Sequence, residues 1–368
     1  LGKVLAKLDR FLDTARFLYN CALEHRIVNY NQWKQHVSYY DQRYTLKDIR
    51  KFDSDMKSLN QNCEQHVLKR LDLAFQVFFR RLKQGEKPGF PRFKSKNRFH
   101  SLTYTYNNGI RIKNGKLYVQ NLGNIKINMS REIQGNIKTV TLTKRINRWY
   151  VCFSCDNVPA KSWSKTDKVI GIDVGLTSFL TDSDGNKVIN PRYFRKSQKQ
   201  LRLRQRRLAR RKKGSNRYKK ARLLVAKSYE HIQNQRTDFL HKLSTDYVRK
   251  YNKIYVEDLK IKNMVKNRCL SKSIHDASWG QFFNYLFYKA EEAGRVFARV
   301  DPKNTTQMCS RCGAIIPKDL FTRVHNCPHC GLVMDRDFNA ALNVKHLGET
   351  LLSDVNVSHW TERSLSTA

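Results

Sequence analysis

Long apolar runs are missing from this sequence. No stretch approaches the roughly 18–20 consecutive apolar residues of a membrane span, and no secretory leader is visible, so a spanning or exported protein is not expected. Acidic residues are scarce. There are 31 Asp plus Glu against 71 Lys plus Arg, for a net charge of +40. A fold that basic repels itself unless a polyanion binds it, and nucleic acid is the expected partner; a membrane surface is the plainer alternative. The charge runs along the whole chain rather than gathering in a tail, which points to a long nucleic-acid track. A secreted disulfide framework is also missing: the nine cysteines are odd in number and mostly scattered, as in a reducing cytosol. Proline is absent between Pro191 and Pro302, which leaves room for long helices. What remains is 368 residues at 40% hydrophobic and 11% aromatic content, enough to bury the cores of two or three domains and too apolar for a disordered chain. The first residue is Leu1 rather than Met, and the chain is expected to be clipped at its start.

Residues 1–83 read as helices. Leu5, Leu8, Leu12, Ala15 and Tyr19 follow a helical stripe, as do Val67, Leu71, Ala74, Phe78 and Leu82. The Gly- and Pro-bearing segment "GEKPGFPRFKSKNRF" at 85–99 ends the helical pattern. From 99 to about 157 the pattern turns to short strands with Asn-Gly and Gly-Asn hairpin signals, predicting a small barrel or a twisted antiparallel sheet. Cys152 and Cys155 fall on one of these strands. Positions i and i+3 of a strand face opposite sides, so they read as packing residues rather than metal ligands. At 168–190, "KVIGIDVGLTSFLTDSDGNKVI" predicts a buried strand, a glycine turn, a second strand and an Asp-Gly hairpin. Two long helices broken near Gly214 fit 193–250. A strand "KIYVEDL", a polar loop, the helix "WGQFFNYLFYKAEEAG" and a strand "RVFARV" follow, and residues beyond about 349 show little pattern.

Acids at the ends of apolar strands carry the chemistry. Asp173 follows Val169-Ile170-Gly171-Ile172, and Glu257 follows Ile254-Tyr255-Val256. A carboxylate at a buried sheet end is costly unless neutralised, and a divalent cation neutralises several at once. Taken singly, Asp173 reads equally well as a turn residue before Gly175, Glu257 as a salt-bridge partner, and Asp335 and Asp337 as caps of the helix "FNAALNV". Together, a strand–turn–strand with Asp, a later strand with Glu and a last helix opening with Asp match a ribonuclease-H-like arrangement. There, two metals about 3.5–4 Å apart hydrolyse phosphodiesters.

Cys309, Cys312, Cys327 and Cys330 form two CxxC pairs around a 14-residue loop. That spacing predicts a closed, structural four-thiolate zinc site, with His325 and His329 redundant as ligands. The loop also carries Arg311, Lys318 and Arg323 as candidate DNA contacts. About half of residues 195–222 are Lys or Arg with no acids among them, so phosphates are expected alongside. Candidate contacts there are Arg202, Arg206, Arg207 and Arg210, continuing through Arg211, Lys212, Lys213 and Arg217. Lys94, Lys96 and Arg98, with Phe93, are candidates for touching RNA or a target-flanking motif. Tyr30, Trp33, Tyr39, Tyr40 and Tyr44 read mostly as core, with base stacking as the alternative.

The ordered landmarks "RFLYNCALEHR", "KPGFPRFKSKNRFHSLTY", "GIDVGLTSFLTDSDG", "RLRQRRLARRKKGSNRYKKAR", "YVEDLKIKNM", "CSRCG" and "DRDFNAALNV" resemble the TnpB (OrfB) family. These are RNA-guided nucleases carried by insertion-sequence transposons and are more distantly similar to type V CRISPR effectors. The resemblance covers nearly the whole chain. It implies a multidomain α+β fold: a helical recognition domain at 1–83 and a β-barrel wedge at 84–160. A RuvC-like nuclease domain at 161–308 with a basic hairpin at 193–250 follows. A zinc-ribbon insertion at 309–330, a last RuvC segment at 331–348 and a flexible tail at 349–368 complete it. It implies catalysis by Asp173, Glu257 and Asp337 with two Mg2+, or Mn2+ in their place. Asp337 is preferred to Asp335 because the family's Asp-x-Asn-Ala-Ala pattern begins there. The implied partners are a guide RNA from the transposon end and double-stranded target DNA, in a prokaryotic cytoplasm, with the protein monomeric on its RNA. The family's short β segment before the first helix is missing here, so either the barrel is expected to lack a strand or the sequence to be incomplete. A nuclease-silent guided repressor and a strand-transfer transposase are the alternative functions; the complete acid set argues against the first.

Overall fold

The structure is a computed structural model that describes residues 2–159, 163–319 and 321–353. Residues 1–159 and 160–368 fall into two compact units. The first opens with helices α1 (Gly2–Trp33), α2 (Tyr39–Phe52), α3 (Ser54–Ser58) and α4 (Gln61–Lys83). Ser38 and Asp41 close a capping box on α2, and Asn60 caps α4 by accepting from two backbone amides. Six strands follow: β1 (Ser101–Thr105), β2 (Ile110–Lys113), β3 (Lys116–Val119), β4 (Gly123–Lys126), β5 (Asn136–Arg145) and β6 (Arg148–Asp156). Asn114 and Gly115 both take positive φ between β2 and β3, as a two-residue hairpin turn requires.

The strands pair as two three-stranded antiparallel sheets, β1-β5-β6 and β2-β3-β4. One buried cluster joins helices and strands, running from Leu12, Tyr19 and Leu23 through Leu68 and Leu71 to Leu102, Tyr104 and Val140. The predicted stripe of α4 is buried only at its start: Val67 and Leu71 are inside, whereas Leu82 is 56% exposed. The last turns of α4 run past the end of this core.

The second unit holds a five-stranded sheet ordered β11-β10-β7-β8-β9. Its strands are β7 (Val169–Val174), β8 (Ser178–Asp182), β9 (Lys187–Ile189), β10 (Lys253–Glu257) and β11 (Val296–Val300). β7, β10 and β11 are parallel; β8 and β9 return as antiparallel hairpins. Helices α5 (Tyr193–Ala209) and α6 (Asn216–Lys250) form the expected long pair around Gly214. The stretch read as a polar loop before α9 (Trp279–Glu292) is instead two helices, α7 (Ile261–Met264) and α8 (Arg268–Ala277). Asn267 caps α8, and its Ile274 and Ala277 are buried with the sheet. Four of its ten residues are apolar, Cys269, Leu270, Ile274 and Ala277, and they fall on one side of the helix, a short amphipathic pattern that the surrounding polar residues masked.

The sheet's two faces separate by residue parity, as alternating side chains must. Ile170, Ile172, Ile254 and Val256 pack with Leu240, Phe282 and Leu286. Tyr255 instead packs with Val344 on α10 (Arg336–Ser353). Before α10, a two-stranded hairpin of β12 (Val324–Asn326) and β13 (Val333–Asp335) closes the cysteine-bearing loop. The helix carries on past the predicted start of the tail at 349; residues 354–368 lie outside the described residues.

Candidate functional site

Asp173 and Glu257 stand side by side because β7 and β10 are parallel and in register, with Ile172 opposite Val256 one residue earlier. Gly171 and Asp173 share one face of β7, and Tyr255 and Glu257 share the matching face of β10. α10 lies on that face. It comes so close that a Cβ on Gly171 would stand 2.3 Å from the carbonyl oxygen of Ala341, and a Cβ on Gly348 would stand 2.2 Å from the Tyr255 ring. Asp337, Ala341, Val344 and Gly348 recur on one helix face, so the contact that seats α10 also brings Asp337 to the strand ends.

Asp173 is 7% exposed and Glu257 is 6% exposed. Burial, then the charges of Glu257 and Asp337, push the Asp173 carboxyl well above its ordinary range; Arg336 pulls it partly back. Burial also raises Glu257, against a hydrogen bond of 2.5 Å donated by the Thr305 hydroxyl. The Arg336 guanidinium donates to Asp337 Oδ1 from Nε and Nη2, at 3.2 and 3.1 Å. Asp335 takes a different role. Its Oδ1 accepts from the amides of Asp337 and Phe338, capping α10, and its Oδ2 pairs with Lys187 at 2.6 Å. Buried carboxylates that repel one another and have so few donors are the donor set a hard divalent cation takes.

The four cysteines of the paired motif converge. Their sulfurs all lie within 4.8 Å of one another, with Cys309–Cys330 and Cys312–Cys327 each at 3.6 Å. Four thiolates about 2.3 Å from a zinc ion stand about 3.8 Å apart, so the cluster has the size of a tetrahedral zinc site. A disulfide needs about 2.05 Å, and all nine cysteines are free. Among the described residues no other group of three or more Cys, His, Asp or Glu converges this tightly, Asp173, Glu257 and Asp337 included. Burial pushes the Cys309 thiol up, but the amides of Cys312 and Arg311 and the His325 ring bring it down to about 5.

Comparison with known proteins fits this arrangement. Residues 151–268 match the OrfB_IS605 family, described as a probable transposase, and residues 279–344 match the Cas12f1-like TNB domain. A Streptomyces pristinaespiralis protein named as an RNA-guided DNA endonuclease is 33% identical over 356 residues, covering 93% of this chain and 86% of its own length. The chain belongs to the TnpB (OrfB) family. The Escherichia coli protein InsQ, also named as an RNA-guided DNA endonuclease, is 26% identical over 96% of this chain and 91% of its own. A solved Cas12f1–sgRNA–target DNA complex shares the mixed helix-and-sheet fold of this TnpB-family chain. Its TM-score is 0.60 at 16% identity, over 94% of this chain and 83% of that one.

The basic hairpin of this TnpB-family chain sorts its cations by role. Arg202, Arg206, Arg207 and Arg210 are exposed, as are Arg211, Lys212, Lys213 and Arg217, and none has an acidic partner among the described residues. Arg204 differs. It is half-buried and donates to the Ser228 hydroxyl at 2.5 Å, tying α5 to α6.

The 85–99 segment is less free than the sequence suggested. Lys96 pairs with Asp13 at 2.8 Å, and Lys94 lies over the Tyr19 ring, while Arg98 is exposed. Lys318 also turns inward, donating to the Thr306 carbonyl and meeting the His325 ring, whereas Arg311 and Arg323 are exposed.

Two further readings are corrected. Tyr30, Trp33, Tyr40 and Tyr44 are 59–71% exposed, not core; only Tyr39 packs on the buried cluster. Cys152, read as a packing residue, is exposed on β6, while Cys155 is half-buried. Thr305 and Arg336 were missed as neighbours of the acids. Arg336 stands between Asp335 and Asp337 in the sequence, a visible signal; Thr305, which with Thr306 stands where the family commonly has a Thr-Ser pair, was given no weight, and 48 residues separate it from Glu257.

Proposed function

We propose that this chain is an RNA-guided DNA endonuclease whose nuclease centre is the ribonuclease-H-like sheet end formed by Asp173, Glu257 and Asp337. The observation that supports it most is the placement of three carboxylates, with the charges of Glu257 and Asp337 bearing on Asp173: two at the ends of adjacent parallel strands and one in the first turn of the helix packed across them. These side chains would hold two Mg2+ ions, or Mn2+ in their place. When bound, the ions supply an activated water and charge stabilisation for the leaving 3′ oxygen. Thr305 orients Glu257 through its hydroxyl, Asp335 fixes the first turn of α10, and the four cysteines hold a structural zinc. The exposed cations of the α5–α6 turn track phosphates, while base pairing with the guide selects the sequence. The helical and strand-bearing segments of residues 1–159 carry the RNA scaffold and read a target-flanking motif.

Sequencing the RNA that co-purifies with the protein, expressed beside its native flanking DNA, tests the guided reading. The expected result is one RNA species with a constant scaffold and a short 3′ segment matching DNA beyond the element. Heterogeneous cellular RNA alone would overturn it.

A further inference from the structure

We propose that the zinc loop is the frame that positions the acid cluster, with Thr305 and Asn339 as its two positioning residues. The inference rests on the reading of Asp173, Glu257 and Asp337 as a divalent-cation site, and it concerns how the protein's own residues hold that site in shape. The segment 305–310 leads into the first cysteine pair; it bonds to Glu257 at one end and to the helix that carries Asp337 at the other. At one end the Thr305 hydroxyl, 2% exposed, donates to Glu257 Oε1.

At the other end the segment is clamped to α10. The fully buried Asn339 donates to the Met308 carbonyl at 2.7 Å and accepts from the Ser310 amide at 3.0 Å. Asn343, a turn further on, donates to the carbonyls of Thr305 and Met308 at 2.8 and 2.7 Å. Asn339 sits two residues after Asp337 on the same helix. The second side of the loop is tied too: the Arg336 guanidinium that holds Asp337 also donates to the Thr322 carbonyl at 3.1 Å. The loop has little core of its own, a small cluster of Cys309, Cys327 and Leu332, so the four-thiolate site sets its shape. Loss of zinc therefore releases the segment that orients Glu257 and steadies the turn carrying Asp337.

Mn2+ binding, followed by electron paramagnetic resonance on the full chain, tests this without relying on cleavage. Mn2+ prefers oxygen ligands and leaves a thiolate site to softer metals. Thr305→Val is expected to keep its zinc content and melting temperature while losing about 10–100-fold in Mn2+ affinity; Thr305→Ser, which keeps the hydroxyl, stays near wild type. Zinc-stripped wild-type protein is expected to lose Mn2+ affinity to a similar degree, and stripping Thr305→Val should add little more. Unchanged Mn2+ affinity in Thr305→Val, or in zinc-stripped protein that remains folded by circular dichroism, overturns the proposal. Where stripping unfolds the chain, the Thr305 pair decides alone. Asp173→Asn separates the two readings: if it binds Mn2+ as wild type does, the acid cluster is not the cation site, and the fault lies there rather than in the coupling.

Discussion

Gly171 and Ala341 are in backbone contact: a Cβ on Gly171 would stand 2.3 Å from the Ala341 carbonyl oxygen. Two residues on from that contact lies Asp173, and one helical turn back lies Asp337. Gly171→Ala must push α10 off the sheet, because no side-chain rotation relieves a clash with backbone. A loss of about 1–3 kcal/mol in unfolding free energy is expected, together with loss of nuclease activity. Gly280 in α9 is the control. A Cβ there meets only the end of the Ile261 side chain at 3.4 Å, so Gly280→Ala is expected to be neutral or stabilising by about 0.5 kcal/mol. Chemical denaturation of both variants checks the pair.

The raised Asp173 carboxyl gives a pH signature with a definite sign. A carboxyl whose folded affinity for protons exceeds the unfolded one takes up protons on folding, so its contribution falls as pH rises through the unfolded value near about 3.9 toward the folded one. Without divalent ions, Asp173→Asn should therefore exceed wild type in melting temperature by a margin that grows with pH over that window and then levels off. Added Mg2+ should shrink the margin by stabilising wild type alone. A margin that narrows with rising pH would contradict the placement.

The α5–α6 pair divides binding from folding. Arg204→Ala should cost about 1–2 kcal/mol in stability, because its bond to Ser228 goes with the side chain. Arg206→Ala and Arg207→Ala should leave the melting temperature unchanged and weaken RNA binding. Each should lower the log–log slope of affinity against salt by about 0.7–0.9 for every phosphate the side chain neutralised. Filter binding across a salt series, beside thermal melts, reads both.

Elemental analysis should find one zinc per chain in wild type. Cys312→Ser should lose it, and Cys152→Ser, on an exposed strand position, should retain it.

Much of this was legible in the sequence where one physical signal dominated. Acids at the ends of two short apolar runs announced Asp173 and Glu257 at sheet ends, the paired CxxC spacing announced the four-sulfur cluster, and the proline-free cationic stretch announced α5 and α6. What stayed hidden depended on contacts between distant segments. Thr305 reaches Glu257 only because β11 returns beside β10, and Asn339 meets Met308 and Ser310 only because the zinc loop folds back on α10. The exposed tyrosines of α1 and α2 misled for a related reason. A stripe marks which face of a helix is apolar, and here the Tyr40 and Tyr44 face of α2 meets solvent while Gln42 and Leu46 are buried.

The central claim is that the sheet-end acids cut DNA under RNA guidance. Its most direct test is Mg2+-dependent cleavage of plasmid DNA bearing the target matched to the co-purified RNA, with wild type compared against Asp173→Ala at equal RNA occupancy. The account predicts cleavage by wild type on the matched target, none on a mismatched one, and none by Asp173→Ala. Equal cleavage by Asp173→Ala, or cleavage indifferent to the guide, would contradict it.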